Sequence, residues 1–83
     1  MYNVLFTHRA DKQLRKLEKN VQERIIAALE RARVRPYDFF ERLVGDKAHK
    51  LRAGDYRVIA DIEGTNMVIL VVKIGHREHV YER

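Results

Sequence analysis

The chain has 83 residues, which is enough for one small domain and too few for a second. It contains no cysteine, which excludes disulfide bonds and thiol-based metal or redox chemistry, and its formal net charge of +5 favours a polyanionic partner. No apolar stretch approaches the roughly 20 residues that span a membrane, and the N-terminus has no signal-peptide pattern, so we expect a cytoplasmic protein without membrane segments.

The first elements predicted along the chain are a short strand and a helix. Residues 2–6 carry the apolar run of the strand. Thr7 follows as a candidate N-cap, because its hydroxyl can accept a hydrogen bond from a free N–H of the first turn. Ala10, Leu14 and Leu17 then recur at helical spacing. A first amphipathic helix is therefore expected after Thr7.

A second helix is predicted by an apolar stripe that starts soon afterwards. Asn20 resembles its N-cap, and Glu23 stands at the capping-box position three residues later. Pro36 is expected to end the helix, since proline lacks the N–H that a helix interior requires. The stripe consists of Val21, Ile25, Ala28, Leu29 and Ala32.

The segment between the second helix and residue 47 is predicted to be an irregular connector. Four of its apolar side chains are expected to hold it against the core: Phe39, Phe40, Leu43 and Val44. After it, the alternating run from Ala48 is followed by Gly54-Asp55 and a second alternating run to Asp61, which predicts a β-hairpin.

Two more strands complete the predicted fold. Tyr56, Val58, Ala60 and Ile62 form an alternating apolar face in the second hairpin strand, and Gly64-Thr65-Asn66 is a turn signal. Residues 67–74 are nearly all apolar, as in a central strand covered on both sides. The predicted order is β-α-α-β-β-β, an α+β domain over residues 1–83 in which two N-terminal helices pack on a small antiparallel sheet.

Positive side chains follow the same alternation. Lys50 and Arg52 share one face of the predicted hairpin, while Leu51 points the other way. Arg57 and Ile59 share a face opposite Tyr56 and Val58. If strand geometry continues beyond Gly75, then Arg77, His79 and Tyr81 also share one face. These cations predict a phosphate site, provided that the hairpin and the C-terminal segment meet.

At this point the chain resembles the RelE toxins of bacterial and archaeal toxin–antitoxin systems, in the RelE/ParE superfamily. The resemblance covers essentially the whole chain. The motifs that carry it are Lys50-Leu51-Arg52-x-Gly54-x-Tyr56-Arg57 and, after an apolar strand, Gly75-His76-Arg77-Glu78-x-Val80-Tyr81. The resemblance implies a toxin that cleaves mRNA in the ribosomal A site, leaving a 2′,3′-cyclic phosphate and a 5′-hydroxyl, and that a RelB-like antitoxin silences in a hetero-oligomer.

The resemblance also implies roles for individual residues. Lys50, Arg57, Arg77 and Tyr81 match catalytic positions of the family, and Arg52 matches a basic residue of the same surface. Lys47, His76 and His79 are further candidates for RNA binding. Many relatives carry a second lysine where this chain has Ala48, and in some the spacing between the positions of Arg77 and Tyr81 is longer.

The chemistry requires no metal or cofactor, because the RNA 2′-hydroxyl can attack its own phosphate. Arginine offers a planar fork of donors that remains charged, which suits Arg57 and Arg77 to stabilising the phosphate. Arginine is a poor general base for the same reason. Lys50, His76, His79 and Tyr81 are the candidates for proton transfer, and Tyr81 could instead stack on a base. His76 and His79 lack the acidic or cysteine partners of a metal site.

Other interpretations of the cations remain open at this stage. Lys50 and Arg52 could protect a sheet edge from aggregation, and Arg57 could form a surface ion pair with Asp55, Asp61 or Glu78. The cations of the first helix are most often a solvated face, although they could touch ribosomal RNA. A ParE-like inhibitor of DNA gyrase shares the expected fold and is the alternative function, and a non-catalytic nucleic-acid-binding module is a third.

Overall fold

The computed structural model describes residues 1–80 and confirms an α+β fold. The observed elements are, in order, β1 (Asn3–Phe6), α1 (His8–Arg15), α2 (Lys19–Ala32), α3 (Pro36–Phe39), β2 (Glu41–Arg42), β3 (His49–Ala53), β4 (Tyr56–Glu63) and β5 (Val68–His76). The strands form one sheet in the order β1-β5-β4-β3-β2. No helix among the described residues is long and apolar enough to cross a membrane.

The sheet is antiparallel except at β1. The pairs β3–β4 and β4–β5 are antiparallel, as the predicted hairpins require, and the unpredicted pair β2–β3 is also antiparallel. Strand β1 instead pairs in parallel with β5, with Asn3 opposite Val68 and Phe6 opposite Val71. The expectation of a wholly antiparallel sheet is therefore wrong at this edge. A parallel neighbour is possible because helices and strands separate β1 from β5 in the chain.

The predicted irregular connector is wrong, since it contains α3 and β2. Pro36 does not end α2, which stops at Ala32, but occupies the first turn of α3, where a missing N–H has no cost. Phe40 is buried as expected, whereas Phe39 and Val44 are exposed. Two-residue β2 brings this segment onto the edge of β3, so the connector becomes part of the sheet.

The predicted N-cap is confirmed for α1 and is wrong for α2. Thr7 is the N-cap of α1, and its Oγ1 accepts a hydrogen bond from the Ala10 N–H at 3.1 Å. Asn20 is not the cap of α2, because the Val21 and Gln22 N–H groups already bond the Glu18 carbonyl. Glu18 is the N-cap, so α2 starts before the predicted capping box.

We expect Thr7→Ala to lower the free energy of unfolding by about 1 kcal/mol, because the change removes the acceptor for the Ala10 N–H. Chemical denaturation of both proteins measures this difference. Thr7→Ser keeps the hydroxyl and serves as the control. An equal loss of stability in the serine and alanine variants would contradict the capping role.

Two apolar clusters lie on opposite sides of the sheet. The larger one lies between the sheet and the helices, and includes Ile25, Leu29, Leu51, Val58, Ile69, Val71 and Ile74. The smaller one, on the side without helices, consists of Ala48, Ile59 and Val80, with Leu43 and Val72 packed against them. Strand β5 is therefore covered on both sides, but by helices on one side only.

Strand β5 has a bulge at Val72, which packs against the smaller cluster. Pairing with β4 passes from Ile59 opposite Lys73 to Ala60 opposite Val71, so Val72 is the extra residue.

In the turn between β4 and β5, the Glu63 carboxylate accepts hydrogen bonds from the Asn66 and Thr65 N–H groups at 2.6 and 2.9 Å. These bonds, that from Asn66 foremost, lower the pKa of Glu63 and close the predicted turn.

Candidate phosphate-binding face of the sheet

Three of the predicted cations lie on the side of the sheet that has no helices, here called the open face. Residues directly opposite each other on paired strands project to the same side. Leu51 lies opposite Val58, and both belong to the core beneath the helices. Lys50 and Arg52 alternate with Leu51, and Arg52 lies directly opposite Arg57. The predicted row of positive charge is thus present on the open face.

The Arg57 side chain is held in place by the hairpin turn. Gly54 has φ +63°, in the left-handed region that this tight turn requires. Arg57 Nη1 donates hydrogen bonds to the carbonyl oxygens of Gly54 and Tyr56, both at 2.9 Å. The guanidinium has five N–H donors, so this anchoring leaves Nε and Nη2 for another acceptor.

Arg57 is buried, with 9% of the residue exposed, whereas a surface ion pair would leave its side chain largely exposed. Within residues 1–80, the observed ion pairs include none that joins Arg57 to Asp55, Asp61 or Glu78. The ion-pair interpretation of Arg57 is therefore wrong for the described residues. Within residues 1–80, Arg57 is held by backbone carbonyls, which carry no formal charge, and by no observed ion pair.

Lys50 has an acidic neighbour that the sequence did not predict. Glu41 of β2 lies opposite Lys50 of β3, and Lys50 Nζ is 3.8 Å from Glu41 Oε2. The Lys50 side chain is 26% exposed, whereas that of Glu41 is 68% exposed. Strand β2 has only two residues, so no alternating pattern could have revealed this carboxylate on the open face.

The C-terminal segment leaves the sheet and turns back over the open face. Strand β5 ends at His76, and residues 77–80 form a turn, so the expected strand geometry through Arg77 and His79 is wrong. The Arg77 N–H bonds the Asp55 carbonyl at 2.8 Å, which places Arg77 beside the hairpin turn that anchors Arg57. Tyr81 lies outside the described residues.

Val80 fixes this turn to the sheet. It is 2% exposed and packs against Ala48 and Ile59 in the smaller apolar cluster. Its N–H bonds the His76 carbonyl at 2.8 Å. Gly75, directly opposite Arg57 on the neighbouring strand, supplies the space that Val80 covers. The hairpin and the C-terminal segment therefore do meet, as the predicted phosphate site requires.

The remaining predicted site residues among those described are His76, His79 and Lys47. His76 is opposite Tyr56, and the ring centroids are 5.5 Å apart. Tyr56 packs against the core beneath the helices, so His76 lies on that side and not on the open face. The His79 ring is 6.2 Å from that of His76. Lys47 is exposed in the loop between β2 and β3.

Position 48, where many RelE-like chains carry a lysine, is occupied here by Ala48. The residue is 7% exposed and lies within the smaller apolar cluster beside Ile59 and Val80. This position therefore supports packing of the C-terminal turn and has no proton-accepting group. The unpredicted Glu41 is a titratable side chain near Lys50 on this face, with its Oε2 3.8 Å from Lys50 Nζ.

The structure combines a small α+β domain with a row of cations on the open face of its sheet. The family model for the ParE toxin of type II toxin–antitoxin systems, parDE, matches residues 4–81. The chain belongs to this family, within the RelE/ParE superfamily, and is a toxin of a type II toxin–antitoxin system. A comparison with curated proteins gave no match.

Solved structures of RelE toxins have the same fold. The chain is 27% identical to the toxin in the intact Escherichia coli RelBE complex, with a TM-score of 0.79 and coverage of 92% of this chain and 96% of that one. For the archaeal RelE–RelB complex of Pyrococcus horikoshii, the identity is 26%, the TM-score 0.76 and the coverage 94% and 97%. For the RelBE2 complex of Mycobacterium tuberculosis, the corresponding values are 23%, 0.83, 92% and 98%, which shows the fold alone.

Proposed function

We propose that the protein is a RelE-type endoribonuclease that cleaves mRNA in the ribosomal A site. The observation that carries the proposal is the anchored guanidinium of Arg57, with Arg52 directly opposite it and Lys50 on the same face. Such an array is suited to a phosphodiester, because arginine binds phosphate oxygens with a planar fork of charge-assisted hydrogen bonds. Arg77 and Tyr81 of the C-terminal segment complete the proposed site.

In the proposed reaction, the 2′-hydroxyl of the RNA loses its proton and its oxygen attacks the adjacent phosphorus. The bond from phosphorus to the 5′-oxygen breaks, leaving a 2′,3′-cyclic phosphate, and the 5′-oxygen takes up a proton. Negative charge grows on the phosphate during this step. Arg57 and Arg77 stabilise that charge, and such electrostatic stabilisation is usually the largest catalytic contribution. The reaction needs no metal or cofactor.

The proposed partners are a RelB-like antitoxin, the ribosome and translated mRNA, in the cytoplasm. The antitoxin is supported by the related structures, which are RelB–RelE complexes from Escherichia coli and Pyrococcus horikoshii. We propose that this chain forms a hetero-oligomer of the same kind and is inactive in it. The net charge of +5 supports association with RNA.

The test is primer extension on an mRNA that is being translated in a reconstituted system, with and without the purified toxin. We expect discrete cuts within codons at the A site, and little cleavage of the same mRNA without ribosomes. Arg77→Ala, at an exposed residue, is expected to abolish cleavage while the protein still folds. Intact translated mRNA in the presence of the folded wild-type protein would contradict the proposal.

Inhibition of DNA gyrase is the second candidate, and the ParE family model supports it. ParE-type inhibition acts by binding, so it does not require an anchored arginine beside a second cation. A supercoiling assay with purified gyrase separates the two functions. Loss of supercoiling without mRNA cleavage would favour gyrase, and mRNA cleavage with normal supercoiling would favour the nuclease.

A further inference from the structure

A cleft lies at the edge of the sheet, beside the cations of the open face. Strand β2 pairs only with His49 and Lys50, so the outer edge of β3 from Leu51 onward has no strand partner among residues 1–80. Helices α2 and α3 border this edge and leave a cleft of about 180 Å³, here called the edge cleft. Its lining includes Ala28 and Arg31 of α2, Phe39 of α3, and Lys50, Leu51 and Arg52 of β3.

The charged side chains of the edge cleft are mostly positive. Arg31, Lys50 and Arg52 provide three cations, and the carboxylate that also lines the cleft, that of Glu41, lies 3.8 Å from Lys50 Nζ. Arg31 and Arg52 are exposed, and within residues 1–80 neither forms an observed ion pair. Two guanidinium groups at one cleft are suited to the oxygens of a phosphate, which arginine binds with a planar fork of donors.

Phe39 adds an aromatic surface to these cations. The residue is 46% exposed and lies outside both apolar clusters of the described residues, whereas the neighbouring Phe40 is buried in the larger cluster. Packing of this segment therefore depends on Phe40 and leaves the ring of Phe39 at the cleft. Exposed aromatic rings beside cations are typical of surfaces that bind single-stranded RNA, because unpaired bases stack on the rings.

We propose that the edge cleft binds one nucleotide of the RNA next to the scissile phosphate, an inference that rests on the nuclease function proposed above. The base stacks on the ring of Phe39, and the phosphate accepts hydrogen bonds from Arg31 and Arg52. Pockets for drug-sized ligands occupy roughly 300–1,000 Å³, so the smaller edge cleft is suited to a single base. Lys50 and Arg52 also belong to the open face, so one RNA strand can run from the cleft to the cleavage site.

The test measures binding of a short single-stranded RNA with 2′-fluoro riboses, by fluorescence anisotropy over a range of salt concentrations. Without 2′-hydroxyl groups this RNA cannot undergo the proposed cleavage, so binding is measured alone. Phe39→Leu keeps an apolar side chain but removes the ring, and we expect about 10-fold weaker binding with an unchanged salt dependence. Arg31→Gln should also weaken binding, and the slope of log affinity against log salt should fall by about 0.7, the value for one phosphate contact with a single strand.

The chain offers a matched control for each variant. Tyr37 lies on the same short helix as Phe39 and is 57% exposed, but its ring packs against His49 and does not line the edge cleft. Arg35 is an exposed cation that also lies outside the cleft, with its Nη1 3.8 Å from Asp38 Oδ2. Tyr37→Leu and Arg35→Gln should bind the RNA like the wild type. Thermal unfolding of all four variants checks that each is folded.

Equal binding by Phe39→Leu, Arg31→Gln and their controls would overturn the inference, and so would a wild type that does not bind the RNA at low salt. If the first two variants instead lose only their complex with the antitoxin, the cleft is a protein-docking site and the inference is likewise wrong. Primer extension on translated mRNA tests the nuclease function separately. Cleavage by a wild type whose cleft variants bind RNA normally would refute the role of the cleft alone, whereas the expected binding pattern without cleavage would refute the nuclease function alone.

Discussion

Arg57→Ala is expected to lower the rate of mRNA cleavage by about 10³-fold, the loss that follows removal of a single oriented donor at a site of developing charge. The expectation follows from how firmly the guanidinium is oriented, since Nη1 is held by two backbone carbonyls at 2.9 Å. Those hydrogen bonds fix the direction of Nε and Nη2 before the substrate arrives. The measurement is single-turnover cleavage of translated mRNA by equal amounts of folded protein.

The same two hydrogen bonds stabilise the hairpin turn, so Arg57→Ala should also lower the free energy of unfolding, by about 1–3 kcal/mol. Stability and activity must therefore be measured separately, by thermal unfolding and by cleavage. Arg57→Lys is the informative second variant, because it keeps the charge and loses the planar fork. We expect the lysine variant to lose at least about 10-fold in rate. A variant that is less stable but cleaves like the wild type would assign Arg57 to the turn alone.

The hairpin and its cations could be predicted because the signals for them are local. A two-residue Gly54-Asp55 turn fixes the register between β3 and β4, and the period of two then decides which side chains share a face. Lys50, Arg52 and Arg57 therefore follow from parity once the turn is recognised. The cap at Thr7 is equally local, since the hydroxyl and the Ala10 N–H that it binds are three residues apart.

Features that depend on distant parts of the chain could not be predicted in this way. The parallel pairing of β1 with β5 joins residues more than sixty positions apart, and β2 exists only because Glu41 and Arg42 pair with β3. Glu41 was missed for that reason. Parity also failed beyond His76, because the Arg77 N–H bonds the Asp55 carbonyl and the chain leaves the sheet there.

Gly75 is the residue on which the position of the C-terminal turn depends. A Cβ at this position would lie 3.4 Å from Val80 Cγ2 and 3.3 Å from Val80 Cα and Cβ, and the two shorter distances are closer than ordinary van der Waals contacts. Val80 cannot easily withdraw, because its N–H bonds the His76 carbonyl and its side chain is buried against Ala48 and Ile59. A methyl group at Gly75 must therefore push Val80, and the turn that carries Arg77 with it, outward by a few tenths of an ångström.

We expect Gly75→Ala to reduce mRNA cleavage several-fold, which is less than the roughly 10²-fold loss that a full 1 Å displacement of a catalytic group can cause. Overpacking against Val80 should also cost about 1–3 kcal/mol of stability. Gly64→Ala is the control, because the nearest atoms to its added Cβ, the hydroxyl oxygens of Tyr37 and Tyr2, are 3.7 and 3.8 Å away. Single-turnover cleavage measures the change in rate for both variants, and thermal unfolding measures the change in stability. The two substitutions differ in that only the methyl group at Gly75 contacts Val80. If Gly75→Ala cleaves mRNA at the same rate as Gly64→Ala, the nuclease site does not include the C-terminal turn.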